Sequence, residues 1–185
     1  MAISPVVSLG LGGGMVFPAG FAVGRWYAAY TNANHEKRVA EQLGMREVEH
    51  LLPLYKSVRR WKDRRVTLEL PLFPGYVFVR VALRDRLQVL QVPGLARLVG
   101  FDGTPTPLPE EEIAALRTSL ESGVRVEPHP YLKVGRRVRV KAGPLLGLDG
   151  IILRCKQRSR FVLSFDLIMR SVAVEIDETD LEPVN

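Results

Sequence analysis

Hydrophobic and polar positions change rhythm several times along the chain, and each change predicts an element. Residues 1–24, MAISPVVSLGLGGGMVFPAGFAVG, are apolar, uncharged and broken by Gly and Pro. They lack the basic start and unbroken apolar run of a secretory signal, and they are too interrupted for a membrane helix. They are read as a disordered leader or non-native extension, outside the fold. From Arg25, RWYAAYT has the aromatic-rich pattern of a strand. NANHEKRVAEQLGMRE places Val39, Ala40 and Leu43 on one face at helical spacing. HLLPLYKSVRR and RRVTLELPLF read as two strands around a basic tip, and GYVFVRV as a third strand of the same meander. RDRLQVLQVPG predicts a short helix closed by Pro93-Gly94, LARLVGF a strand, and DGTPTPLP a loop. PEEEIAALRTSLES starts on Pro109, carries acids in its first turn and presents Ile113, Leu116 and Leu120, which is a well-marked helix.

A different texture follows. Pro128 and Pro130 bracket His129 in GVRVEPHPYLK, so residues 123–131 are read as a linker. Then come short strands, RRVRVKAG, GIILRCK, RFVLSFDL and SVAVEID, separated by turns such as Gly143-Pro144 and Asp149-Gly150. The prediction is an α+β domain over 25–122, an antiparallel sheet flanked by helices, and a small all-β barrel over 132–185.

Composition adds limits. The chain has 185 residues, 46% hydrophobic and 25% charged, enough for a core of ordinary size. Its one cysteine, Cys155, excludes an internal disulfide framework, and His35, His50 and His129 are too scattered for a metal-ligand spacing. No nucleophile–base pair, phosphate-cradling Gly loop or metal-spaced carboxylate pair stands out, so no catalytic residue, metal or cofactor is assigned. The net charge of +6 favours an anionic partner. It is spread over both halves, with 15 basic against 12 acidic residues in 25–122 and 11 against 8 in 123–185.

Two stretches concentrate chemistry. In Phe73-Pro74-Gly75-Tyr76 the Pro-Gly pair makes a tight turn, and Phe73, Tyr76 and Phe78 crowd it with rings. Tyr30, ending the first strand, can join them. More rings than a turn needs suggest an exposed apolar patch and a protein interface. In KSVRRWKDRR six basic residues fill ten positions around Trp61, among them Arg59, Arg60 and Lys62. Such residues neutralise phosphates, and an aromatic stacks on unpaired bases. Lys37 and Arg38 on the first helix form a second candidate. The competing explanation in each case is a solvated surface.

WYAAYT, the E-K-R-V-A of the first helix and PLFPGYVFV together resemble the amino-terminal domain of NusG-type transcription factors. GRRVRVKAGPLLGLDGIIL is similar to the KOW motif. The likeness covers about residues 25–184, and PLFPGYVFV with LIMRSVAVEI looks closest to the specialised RfaH and UpxY-type paralogues. The resemblance implies a cytoplasmic, monomeric, non-enzymatic elongation and antitermination factor with no membrane attachment. It places RNA polymerase clamp helices against Tyr30, Phe73, Pro74, Tyr76 and Phe78. A polymerase gate-loop contact falls near Arg84–Gln88, where RDRLQ departs from the pattern of RfaH. Non-template DNA is an implied second partner, although Asn32, Gln42 and Arg46 differ from the reading residues of RfaH. The KOW domain is implied to bind a small-subunit ribosomal protein or Rho through Leu145, Leu148, Ile168 and Arg170. The alternative is an RNA- or ribosome-binding KOW protein with no effect on polymerase.

Overall fold

The structure, a computed structural model, describes residues 21–61, 64–129, 135–155 and 158–184. They divide into two compact units. The first draws on Met1–Leu51 and Gly75–Leu108, the second on Leu52–Pro74 and Pro109–Asn185.

The first unit is built on β1 (Arg25–Thr31), α1 (Glu36–Met45), β2 (His50–Leu51), β5 (Tyr76–Val81), α2 (Leu87–Leu90) and β6 (Leu95–Leu98). Its sheet runs β2-β5-β1-β6, with antiparallel pairs. The centre of β1 is buried from Trp26 to Ala29, so the strand is covered on both faces and its residues read as a continuous apolar run. Glu36, Val39, Ala40 and Leu43 of α1 are buried at the spacing of one helix face. A small hairpin of β7 (Gly100–Phe101) and β8 (Thr104–Pro105) occupies the expected loop. Asp102 and Gly103 both take positive φ there, which suits the right-handed twist of a two-residue turn.

The second unit holds β3 (Leu54–Trp61), β4 (Arg64–Pro71), α3 (Glu110–Glu121) and an all-β region. That region comprises β9 (Val126–His129), β10 (Arg136–Val140), β11 (Asp149–Cys155), β12 (Arg158–Phe165), β13 (Arg170–Ile176) and β14 (Leu181–Pro183). Its sheet order is β14-β10-β11-β12-β13-β9, all antiparallel. Gly150 is required inside it. A Cβ at that position would lie 2.5 Å from the Phe161 ring and 2.8 Å from the Val162 carbonyl oxygen. Three glutamates occupy the first turn of α3, where they complement the positive end of the helix.

Two pairings depart from the sequence reading. β5 pairs with β1 and β2, while β3 and β4 form a two-stranded sheet of their own, so the three strands are not a meander. The hydrophobic run of β5 suits a strand buried on both faces, and that position lies in the first unit. Residues 126–129, expected as linker, are β9 at the edge of the large sheet. An edge strand has one row of backbone groups outside the ladder, which is how Pro128 is tolerated. The leader residues 1–20 lie outside the described residues. No helix among the described residues is long and apolar enough to cross a membrane.

Candidate binding surfaces

The Pro-Gly corner is fixed from both sides of Gly75. Its φ of 86° lies in the left-handed region, which a side chain would strain. The Gly75 N–H donates to Glu36 Oε1 at 2.7 Å, and its carbonyl accepts from the Thr31 N–H at 2.8 Å. Glu36 is buried at the start of α1, so a carboxylate on one element holds the turn preceding another. A charge-assisted bond of this kind is stronger than a neutral one. A Cβ on Gly75 would meet the Tyr30 ring at 3.3 Å. The corner therefore also sets the position of that ring.

Tyr30 and Tyr76 are directly opposite in the β1–β5 register and meet edge to face, with centroids 5.4 Å apart. Arg97, opposite Tyr30 in β6, places its guanidinium 5.2 Å from the Tyr30 ring centre. This cation–π stack holds the ring in place at the surface, where Tyr30 is 39% exposed and Tyr76 is partly exposed. Arg97 was missed in the sequence. Its signal was an arginine within LARLVGF, but only the register with Tyr30 gives it meaning.

The expectation of a larger exposed patch is corrected. Phe78 is fully buried in the central sheet of the first unit. Phe73 is 1% exposed and belongs to the second unit, where it meets Phe165 edge to face with centroids 5.1 Å apart. Pro74 is exposed. Of the five corner residues named from sequence, Tyr30 and Tyr76 are thus brought together, and Phe73 and Phe78 serve as core. In the RDRLQ segment, Leu83–Asp85 form a 3-10 turn leading to α2, and Arg84 pairs with Asp85 at 3.2 Å.

The basic candidates lie on separate elements. Lys37 and Arg38 are exposed on α1. Arg59 and Arg60 are exposed near the end of the β3–β4 ribbon, as are Arg64 and Arg65. Lys62 and the side chain of Trp61 lie outside the described residues.

In the all-β region, the loop expected to meet a partner is partly inverted. Leu145 and Ile168 are buried, and Leu148 is half-buried. Their neighbours Leu146 and Met169 are the exposed apolar residues, at 65% and 58%, and Arg170 is exposed. The β10–β11 and β12–β13 connections lie at the same end of the sheet by register. Met169 takes a φ of 52°, in the left-handed region, directly after the buried Ile168. Across the β10–β11 pair, Arg139 donates to both Asp149 oxygens, at 2.6 and 2.9 Å, and this holds the Asp149 carboxyl below its usual range. The three histidines have structural surroundings. His35 and His50 each bring Nδ1 to a nearby backbone carbonyl, and His129 lies on β9.

On α3, Glu112 presents an unusual carboxylate. Burial first, then the charges of Asp166 and Glu111, push its pKa up to about 7. Its Oε2 is buried with no hydrogen-bond partner among the described residues.

A layered α+β unit with an antiparallel sheet, joined in one chain to a small all-β sheet region, is the two-part architecture expected of the NusG–KOW type. The family described as "Transcription termination factor nusG" matches residues 24–117. The transcription termination/antitermination protein NusG of Vibrio vulnificus is 30% identical over 176 residues, covering 87% of this chain and 96% of that protein. The protein of the same name from Yersinia pestis is 29% identical over 173 residues, covering 85% and 95%. A solved structure described as "Domain interaction in Thermotoga maritima NusG" has the same fold, with a TM-score of 0.53, 22% identity and coverage of 88% of this chain and 98% of that one. The chain belongs to the NusG family of transcription termination and antitermination factors.

Proposed function

We propose that this chain is a transcription elongation and antitermination factor. It binds RNA polymerase through the surface around Tyr30 and Tyr76, with Phe78 buried in the sheet that carries them. The observation that carries this reading is the stacked Arg97–Tyr30–Tyr76 group, held at the surface of the unit that the family match covers. Aromatic side chains fixed at low entropy cost and flanked by arginine are the composition of binding hot spots. The partner is the clamp-helix region of the polymerase. The factor works in the cytoplasm as a monomer, by favouring the elongating conformation and not by catalysing a reaction. A ligand shifts such an equilibrium only by binding one state better than the other.

The all-β region supplies a second contact, to a small-subunit ribosomal protein or to Rho, through the end that exposes Leu146, Met169 and Arg170. The ribbon and Lys37–Arg38 add affinity for nucleic acid near the polymerase. In support, the ribbon exposes four arginines, Arg59, Arg60, Arg64 and Arg65.

Capture on immobilised full-length chain tests the reading. Core polymerase is expected to be retained from purified components, and Tyr76→Ala is expected to reduce retention strongly. Retention of ribosomal subunits with no retention of core polymerase would replace this reading with that of a ribosome-binding KOW protein.

A further inference from the structure

The β3–β4 ribbon is a two-stranded sheet paired with no other strand among the described residues, and its register runs unbroken from Leu54↔Pro71 to Trp61↔Arg64. Side chains alternate across a strand, so the register sorts them onto two faces. One face carries Lys56, Val58 and Arg60 with Glu69, Thr67 and Arg65 opposite them. The other carries Ser57 and Arg59 with Leu68 and Val66, and Arg64 beyond them. Each face thus has two arginines near the tip, and all four are exposed. None has an ion pair among the described residues. Arg60 and Arg65 sit directly opposite each other, an arrangement that disfavours the isolated ribbon. Val58 is exposed on the face of Arg60 and Arg65, and Leu68 on the face of Arg59 and Arg64, so among the described residues each face of the ribbon presents an exposed apolar side chain beside its arginines.

A single strand lying on a sheet meets one face of it. Charge on both faces of a free ribbon fits a partner with two anionic walls. We propose that the outer described rungs of the ribbon occupy the major groove of duplex DNA and meet phosphates of one wall with Arg60 and Arg65, and of the other with Arg59 and Arg64. This rests on the nucleic-acid reading of the ribbon given above and names the form of nucleic acid it takes. The dimensions agree. A β-sheet with its side chains is about 10 Å thick, and the major groove of B-form DNA is about 12 Å wide and about 8.5 Å deep. The four arginines occupy three successive rungs, Arg59↔Val66, Arg60↔Arg65 and Trp61↔Arg64, which span about 7 Å along the ribbon at ~3.4 Å per residue. The minor groove, about 6 Å wide, is too narrow, and so is the major groove of an RNA duplex. The contacts are to phosphates and carry little sequence preference.

The test measures binding of the full chain to a mixed-sequence DNA duplex, one of its single strands and an RNA duplex of the same sequence, across a salt series. The DNA duplex is expected to bind most tightly. The double variants Arg60→Ala/Arg65→Ala and Arg59→Ala/Arg64→Ala should each lower the salt slope on the duplex by about 2, and the fourfold variant by about twice that. The matching Arg→Lys variants should keep the slope, which separates lost charge from a damaged ribbon. Equal or tighter binding of the single strand or the RNA duplex would overturn groove entry while leaving nucleic-acid binding in place. The same holds if only one arginine pair affects the slope. An unchanged slope in every variant would overturn both readings.

Discussion

Two helices of this chain carry in their first turn a glutamate drawn partly out of water, and the two carboxylates meet opposite fates. In α1, Glu36 accepts the Gly75 N–H and so holds the turn that leads to Tyr76. In α3, Glu112 has a buried oxygen with no donor among the described residues and two acidic neighbours, and its pKa rises to about 7. Both sit where the helix favours negative charge. The difference is the donor. A buried carboxylate given a backbone N–H becomes a fixed point around which a surface can be built. Without one, it becomes a group whose charge works against the fold.

The sharpest way to break the contrast is at the glycine that supplies the donor. Gly75→Ala forces a side chain into a positive-φ position and against the Tyr30 ring. It should cost about 2–3 kcal/mol of stability in a denaturant titration. A loss under about 0.5 kcal/mol would show that the turn relaxes freely and is not a fixed point. Removing the acceptor comes next. Glu36→Ala leaves the Gly75 N–H without its partner and should cost about 2 kcal/mol. It should also weaken polymerase binding, because Tyr30 and Tyr76 flank the freed turn.

Glu112 should respond in the opposite sense, and with pH. Its folded pKa of about 7 lies above the ordinary value of 4.5, so the folded state binds the proton more tightly between these values. The group therefore favours the fold most at low pH, and that contribution fades as pH rises from about 4.5 through about 7. Glu112→Gln should become progressively more stable than the natural chain over that window. The gain should reach about 1 kcal/mol by pH 8, reduced from the full shift because the residue is partly exposed. Parallel stability curves for the two proteins would remove the contrast with Glu36. The smallest effect belongs to the ribbon. Arg65→Thr relieves the like-charge pair with Arg60 and should raise stability by a few tenths of a kcal/mol, read as a small increase in melting temperature.

Much of this architecture was legible along the chain. The helices over 36–45 and 110–121 announced themselves by apolar spacing and by the acids and proline at the start of α3. The ribbon was legible from two runs around a basic tip, and the last four long strands from their turns. What local pattern could not carry was partnership. β5 follows β4 closely in sequence yet pairs with β1 and β2, because its apolar run demands burial on both faces. Phe73 and Tyr76 share one motif and looked alike. Phe73 found Phe165 far along the chain, while Tyr76 found Tyr30 at the surface. At the loops of the all-β region, the choice between Leu145 and Leu146, or Ile168 and Met169, depended on turn geometry.

The central claim is that the Tyr30–Tyr76 group is a binding surface and not misplaced core. Its most direct test is the affinity of Tyr76→Ala for core RNA polymerase, measured beside its melting temperature. An anchor predicts a loss of about 2 kcal/mol in binding, roughly thirtyfold, with little change in melting. A ring that serves as core predicts the reverse, a stability loss of about 3–5 kcal/mol with unchanged affinity in the folded fraction, and that result would contradict the account.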